Sequence, residues 1–179
     1  MSEEDFDDRL RWLSPTEAVS RVGRITNIYR EAFGHTDETA AHFSKVFSEA
    51  MMTYKGATCL VAEIDGEILG FVFGFDFVPE NWWPRQIIPA MEAAGHHEWL
   101  DDAFELAEIE VDPEFHGQGL GSSLLHAQLD SMRQSRALLA THPDNPARGL
   151  YRRFGFVDLL EDFEYPETKQ AVAIMGWER

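Results

Sequence analysis

Cysteine is almost missing from this chain. Cys59 stands alone among 179 residues, which excludes an internal disulfide and a cysteine-based zinc site. Long apolar runs are missing too, and none reaches the ~18 to 20 residues of a membrane span. Positive charge is scarce: 15 Lys+Arg face 32 Asp+Glu, and the net charge of −17 disfavours nucleic acid and anionic membrane as partners. The chain opens Met1-Ser2-Glu3-Glu4-Asp5, the wrong sign for a signal peptide. What is present is 44% hydrophobic and 12% aromatic residues, which argues against disorder. The length predicts one domain over residues 1–179. The expectation is a single-domain cytoplasmic protein.

The charge is unevenly spread. Residues 113–155 hold Arg133, Arg136, Arg148, Arg152 and Arg153 against Glu114, Asp130 and Asp144. That is +2 locally, leaving −19 for the rest. A positive island in an acidic chain suggests that the stretch meets an anion; solvated helix faces are the alternative.

The order of elements predicts a mixed α/β fold. Residues 9–13 alternate as a first strand. Ser14-Pro15-Thr16-Glu17 offers a cap, and Val19, Val22, Ile25, Ile28, Tyr29 and Phe33 then recur at helical spacing up to Gly34. A second helix is predicted over 37–54. Two β-prone runs, 58–64 and 67–78, flank Asp65-Gly66, a strong hairpin signal. Residues 79–102 read as irregular, with Pro79, Pro84 and Pro89 and a short helix over 87–94, and are a candidate substrate-facing lid. Trp82, Trp83 and Trp99 there either wall a pocket or pack the segment down. Then come a strand over 104–111, a glycine-rich turn, a helix over 119–135, a strand over 136–141, a short helix over 146–154 closed by Gly155, and strands over 156–163 and 170–177. His96-His97-Glu98 is read as surface loop and Cys59 as a small buried hydrophobe.

Two segments carry chemistry. In Val111-Asp112-Pro113-Glu114-Phe115-His116-Gly117-Gln118-Gly119-Leu120-Gly121 a strand turns into a helix. Glycines there let backbone approach a ligand, and the helix start offers unpaired N–H groups to an anion. A plain strand-to-helix turn would have the same pattern. The second segment runs from Asp144-Asn145-Pro146-Ala147-Arg148 through Tyr151 to Gly155-Phe156. A capped helix explains Asn145, Pro146 and Gly155 but does not demand a tyrosine at 151.

Together the two segments resemble the GCN5-related N-acetyltransferase superfamily. The first is similar to its acyl-CoA pyrophosphate motif, with His116 where Arg or Gln is usual. The second is similar to its later Asn-Pro-Ala…Leu-Tyr…Gly-Phe motif. The resemblance implies a mixed, mostly antiparallel sheet of about seven strands, flanked by helices and splayed between two parallel central strands, here 104–111 and 136–141. It implies acetyl-CoA as co-substrate and no metal. Backbone from Gly117 through Gln118, Gly119 and Leu120 to Gly121 would hold the pyrophosphate, helped by His116. Nearby arginines, Arg148 among them, would meet the 3′-phosphate. Backbone at Ile109 and Val111 would face the acyl-pantetheine arm, and Asn145 that arm or the acceptor. Tyr151 would protonate the departing thiolate. Homodimers are common in the family, and no residue here fixes the oligomeric state.

The acceptor chemistry follows from the residues. An ammonium must lose a proton before its nitrogen attacks a thioester, and a carboxylate suits that task. By period two Leu106, Glu108 and Glu110 share one strand face and Ala107, Ile109 and Val111 the other. Glu108 is the first candidate for general base and Glu110 the second; an acidic cleft that only attracts cations is the alternative. The expected activity is direct acetyl transfer to a primary amine of a cationic small molecule or peptide. A non-catalytic acyl-CoA-binding module on the same fold is the other reading.

Overall fold

The computed structural model describes residues 9–179; the acidic opening, 1–5, lies outside them. Seven strands and six α-helices alternate along the chain: β1 (Leu10–Leu13), α1 (Pro15–Ser20), α2 (Val22–Phe33), α3 (Asp37–Thr53), β2 (Thr58–Ile64), β3 (Glu67–Asp76), α4 (Trp82–Ala93), β4 (Ala103–Val111), α5 (Leu120–Ser131), β5 (Arg136–Thr141), α6 (Ala147–Arg153), β6 (Val157–Glu164) and β7 (Ala171–Glu178). The strand order is β1-β2-β3-β4-β5-β7-β6. β1–β2, β2–β3, β5–β7 and β6–β7 pair antiparallel and β4–β5 parallel. The mixed, mostly antiparallel sheet expected from the sequence is present. No described helix is long and apolar enough to cross a membrane.

The chain divides into two compact units. The first comprises the residues up to Phe75 together with Ala107–Ser131, and the second Asp76–Leu106 with Met132–Arg179.

In the first unit, Ser14 caps α1 in a full capping box with Glu17. The single helix predicted over this stretch is two, because Arg21 leaves the helical conformation between them. Its guanidinium is used elsewhere, on Glu63 and on the Gly66 carbonyl, which ties the Asp65-Gly66 turn to the helix pair. Asp65 and Gly66 both have positive φ, as the hairpin signal requires. Ile25, Ile28, Phe43, Phe47, Cys59, Val61, Phe71 and Phe73 are buried together under α2 and α3.

In the second unit, residues 79–102 are more regular than predicted. Trp83, Ile87 and Met91 at four-residue spacing bury one stripe of α4. Pro84 sits in its first turn, where no N–H is needed, and Pro89 removes one bond from a helix held by packing. Trp83 Nε1 donates to the Tyr165 hydroxyl at 2.8 Å, and the half-exposed Trp82 donates to Glu167 at 3.0 Å. Trp99 packs so close to Gly176 that a Cβ there would lie 2.7 Å from its ring. The tryptophans pack the segment down. The β4–β5 register covers Ala103↔Arg136, Phe104↔Ala137 and Glu105↔Leu138, while β4 runs on to Val111 and β5 to Thr141.

Candidate active site

The expected site residues fall into two groups. Glu108, Ile109, Glu110, Val111 and the turn from His116 to Gly121 belong to the first unit; Asn145, Arg148 and Tyr151 belong to the second.

β4 departs from simple alternation. Ala107 packs on the cluster under α2 and α3. Val111 lies on the opposite face, where a Cβ on Gly70 would meet both its Cγ2 and Leu124 of α5 at 3.2 Å. Strict period two would put 107 and 111 on one face, so the alternation slips once between them, which corrects the expected face assignment. A slip of this kind adds one residue to a strand and re-aims the side chains beside it. The acids lie next to that slip.

Glu110 is buried, 6% exposed, and Glu108 is half-buried. Burial pushes the Glu108 carboxyl up to about 7, while its hydrogen bond with Glu110 pulls the other way. Burial, followed by the charge of Glu108, raises Glu110 well above the ordinary carboxylate value. Two carboxyls this close cannot both ionise cheaply, so the pair holds a proton near neutral pH. Tyr29 of α2 belongs here as well: burial, then the charges of Glu108 and Glu110, push its phenol well above its usual value. In sequence Tyr29 belongs to the apolar stripe of its helix, with no sign of these acids.

Beyond β4, Asp112 organises the turn. Its backbone N–H donates to the Leu69 carbonyl at 2.8 Å, and its carboxylate accepts from Arg24 at 2.6 Å and from the Glu114 N–H at 3.0 Å. His116 Nε2 bonds the Val111 carbonyl at 2.8 Å. The imidazole therefore ties the turn to the strand end. Gly117 and Gly119 have φ of 74° and 88°, and nothing lies within 4 Å of where their Cβ atoms would be. Backbone strain, not crowding, calls for glycine, and the space before the turn is open. Leu120 then starts α5, whose first-turn N–H groups lack intrahelical acceptors. An open left-handed glycine turn leading into a helix start fits a pyrophosphate.

In the second unit, Asn145 caps the short helix from one residue further out than predicted. Its Oδ1 accepts from the Ala147 N–H at 2.9 Å, and its Nδ2 donates to Thr141 Oγ1 at 2.8 Å. Arg148 donates to the Pro143 carbonyl and to Asp158, both at 2.6 Å, and its buried Nε has no partner. Arg152 also holds Asp158, at 2.7 Å. Burial alone would push the Asp158 carboxyl up, but the two guanidinium groups outweigh it and hold the group below its ordinary value. Arg136 is paired with Glu178 at 2.7 Å. Three of the five arginines in the positive island are thus matched by acids inside the chain. Tyr151 is 6% exposed and lies 5.7 Å from the Phe156 ring.

One further acid went unread. Glu105 is 8% exposed, its Oε2 has no partner, and burial pushes its carboxyl up to about 8. The regular register over residues 103–105 puts it on the face of Ala103 and Leu138, within the apolar cluster of α4. No group of acids, histidines and cysteines suited to a metal occurs among the described residues.

Residues 22–156 match the model of the acetyltransferase (GNAT) family. The GCN5-like protein acetyltransferase of Mycobacterium tuberculosis is 30% identical over 184 aligned positions, covering 96% of this chain and 86% of that protein. This chain belongs to the GNAT acetyltransferase family. Among solved structures, a GNAT-family protein of Desulfovibrio desulfuricans superposes with a TM-score of 0.69 at 17% identity, over 94% of this chain and 97% of that one. The PaiA N-acetyltransferase of Thermoplasma acidophilum, in complex with coenzyme A, gives a TM-score of 0.62 at 13% identity, over 95% and 99%. Both likenesses are of fold.

Proposed function

We propose that this protein transfers an acetyl group from acetyl-CoA directly to a primary amine. The observation that carries the reading is the Glu108–Glu110 pair, two hydrogen-bonded carboxyls of raised proton affinity on the strand that leads into the glycine turn. Acetyl-CoA, when bound, supplies an acetyl group activated as a thioester. The turn backbone at residues 117–121 holds its pyrophosphate. Backbone at Ile109 and Val111 lines the acyl arm. The arrangement of Asn145 and Arg148 supports a positioning role, since both side chains are committed to shaping the start of α6.

Glu108 is the general base. It is the more exposed of the two carboxyls, and a base raised toward neutrality combines a populated ionised form with a useful proton affinity. It takes one proton from the acceptor ammonium. The nitrogen then forms the C–N bond as the C–S bond breaks, Tyr151 gives a proton to the leaving sulfur, the second proton that the nitrogen sheds in becoming an amide passes to water, and Tyr151 is reprotonated from solvent. The acidity of the chain favours a cationic acceptor. The M. tuberculosis relative is named for a protein acceptor, so a lysine-type amine lies within this class.

Purified protein, acetyl-CoA and a panel of amines test the reading by release of free thiol. CoA binding without thiol release across the panel would establish the non-catalytic alternative. In a protein that turns over, Glu108→Gln should lower kcat/KM by about a hundredfold and displace the rising limb of the pH–rate profile. An unchanged limb removes Glu108 as base.

A further inference from the structure

The stretch that forms the glycine turn is an odd one to offer to a pyrophosphate. Residues 112–121 contain two acids, Asp112 and Glu114, and no lysine or arginine. The His116 imidazole is engaged with the Val111 carbonyl. Glu114 is exposed, where water screens its charge. Asp112 is not, with a side chain only 7% exposed. Burial alone would push its carboxyl up, but Arg24 and the Glu114 N–H outweigh that and hold it below its ordinary value. Asp112 is therefore an anion at neutral pH, beside a turn that is to receive another.

That carboxylate has a task. It caps the short helical turn 113–115 by accepting from the Glu114 N–H at 3.0 Å, and the Asp112 carbonyl accepts from the Phe115 N–H at 2.8 Å. What offsets its charge comes from 88 positions away. Arg24 of α2 donates to the Asp112 carboxylate at 2.6 Å and, through Nε, to the Ile68 carbonyl at 2.9 Å. Two bonds from one planar group fix where the guanidinium lies. Glu67 stands further off, at 3.9 Å, and is exposed, so Asp112 is the partner that matters. The Asp112 N–H in turn donates to the Leu69 carbonyl at 2.8 Å, so α2, the start of β3 and the start of the turn meet at this one cation.

We propose that Arg24 is a positioning residue for the acyl donor: by neutralising Asp112 it leaves the turn of residues 117–121 free to take an anionic pyrophosphate. The inference rests on the acetyl-CoA reading. The N–H groups of the turn attract the pyrophosphate, and an unpaired carboxylate held out of water beside them would repel it. Asp112 gives the turn its shape, and Arg24 removes the charge that comes with that shape. The ion pair is thus asymmetric in function. Losing the arginine confronts the donor with a bare carboxylate, whereas losing the charge of the aspartate leaves a cation. A purely structural clasp would be symmetric, because either loss opens the same pair.

Calorimetric titration of CoA into the full-length protein tests this asymmetry, at low ionic strength where screening is least. Arg24→Gln should weaken CoA binding about tenfold. Asp112→Asn, whose amide oxygen still accepts from the Glu114 N–H, should bind CoA at least as tightly as wild type. The double variant, two amides in place of two charges, should lie within about threefold of wild type. With Asp112→Asn it decides the matter even if Arg24→Gln does not fold. Melting temperatures should fall in both single variants, so that stability and CoA affinity part company. An Arg24→Gln protein that binds CoA as wild type does overturns the proposal. So do Asp112→Asn and double variants that bind CoA about tenfold more weakly than wild type. A wild type that binds no CoA sinks the acetyl-CoA reading and the role of Arg24 with it; CoA binding indifferent to Arg24 sinks only the latter.

Discussion

The acids of β4 and the arginines of residues 133–153 make opposite use of charge. Arg136, Arg148 and Arg152 are each bonded to a carboxylate of their own unit, Glu178 or Asp158. Glu105, Glu108 and Glu110 meet no cation, and burial raises all three. A positive island counted along the chain is largely neutralised in space, whereas the acids of β4 are held at raised proton affinity. Formal charge measures composition; the charge a site can use is what remains after local pairing and desolvation.

Glu105 provides the largest break in this comparison. Its folded-state value of about 8 lies above the ordinary 4.5, so between those limits the folded protein binds the extra proton. Stability contributed by this group is therefore full at low pH and falls as pH rises through about 8. Glu105→Gln, which cannot ionise, should be more stable than wild type by on the order of 4 kcal/mol at pH 9 and close to it at pH 5. Urea midpoints at the two pH values measure the gap. A gap that does not widen with pH would mean that Glu105 is not desolvated.

On the arginine side, Asp158→Asn should cost about 3 kcal/mol at neutral pH, because it strips the partner from the nearly buried Arg148. Arg152→Ala, at the exposed end of the same cluster, should cost less than about 1 kcal/mol. Asp158 sits below its ordinary 3.8 in the folded state, so its contribution is present above that value and lost as pH drops further. The Asp158→Asn penalty should shrink in acid, read from thermal melts at pH 7 and pH 3. Equal costs for the two variants would show that the clasp is a surface pair.

Much of this was legible in the sequence. All seven strands lie where alternation and turn chemistry put them, to within two residues at each end. The glycine turn and the short helix after Asn145 follow from φ requirements and caps, which are local. What was missed depends on partners distant in sequence. Arg148 looked available because Asp158 lies outside the stretch over which charge was counted. Tyr29 belongs to an apolar stripe in sequence, and the charges of Glu108 and Glu110 that act on its phenol come from residues about eighty positions away. Glu105 was passed over because period two, carried along the whole strand, drew attention only to Leu106, Glu108 and Glu110. Its burial depends on the apolar cluster around Leu138, more than thirty residues away in sequence. The helix over 82–93 was obscured by two prolines that tertiary packing tolerates.

Gly176 has a bearing on how this family member is surveyed genetically. Its missing side chain leaves the room into which the Leu159 methyl and the Trp99 ring fit, each 2.7 Å from a would-be Cβ. In a saturation screen scored by enzyme output, that codon will rank among the intolerant ones and sit beside true active-site positions. Its intolerance will report a steric keyhole in the second unit, so a mutational map of this protein needs an abundance readout before its sensitive positions are read as chemistry.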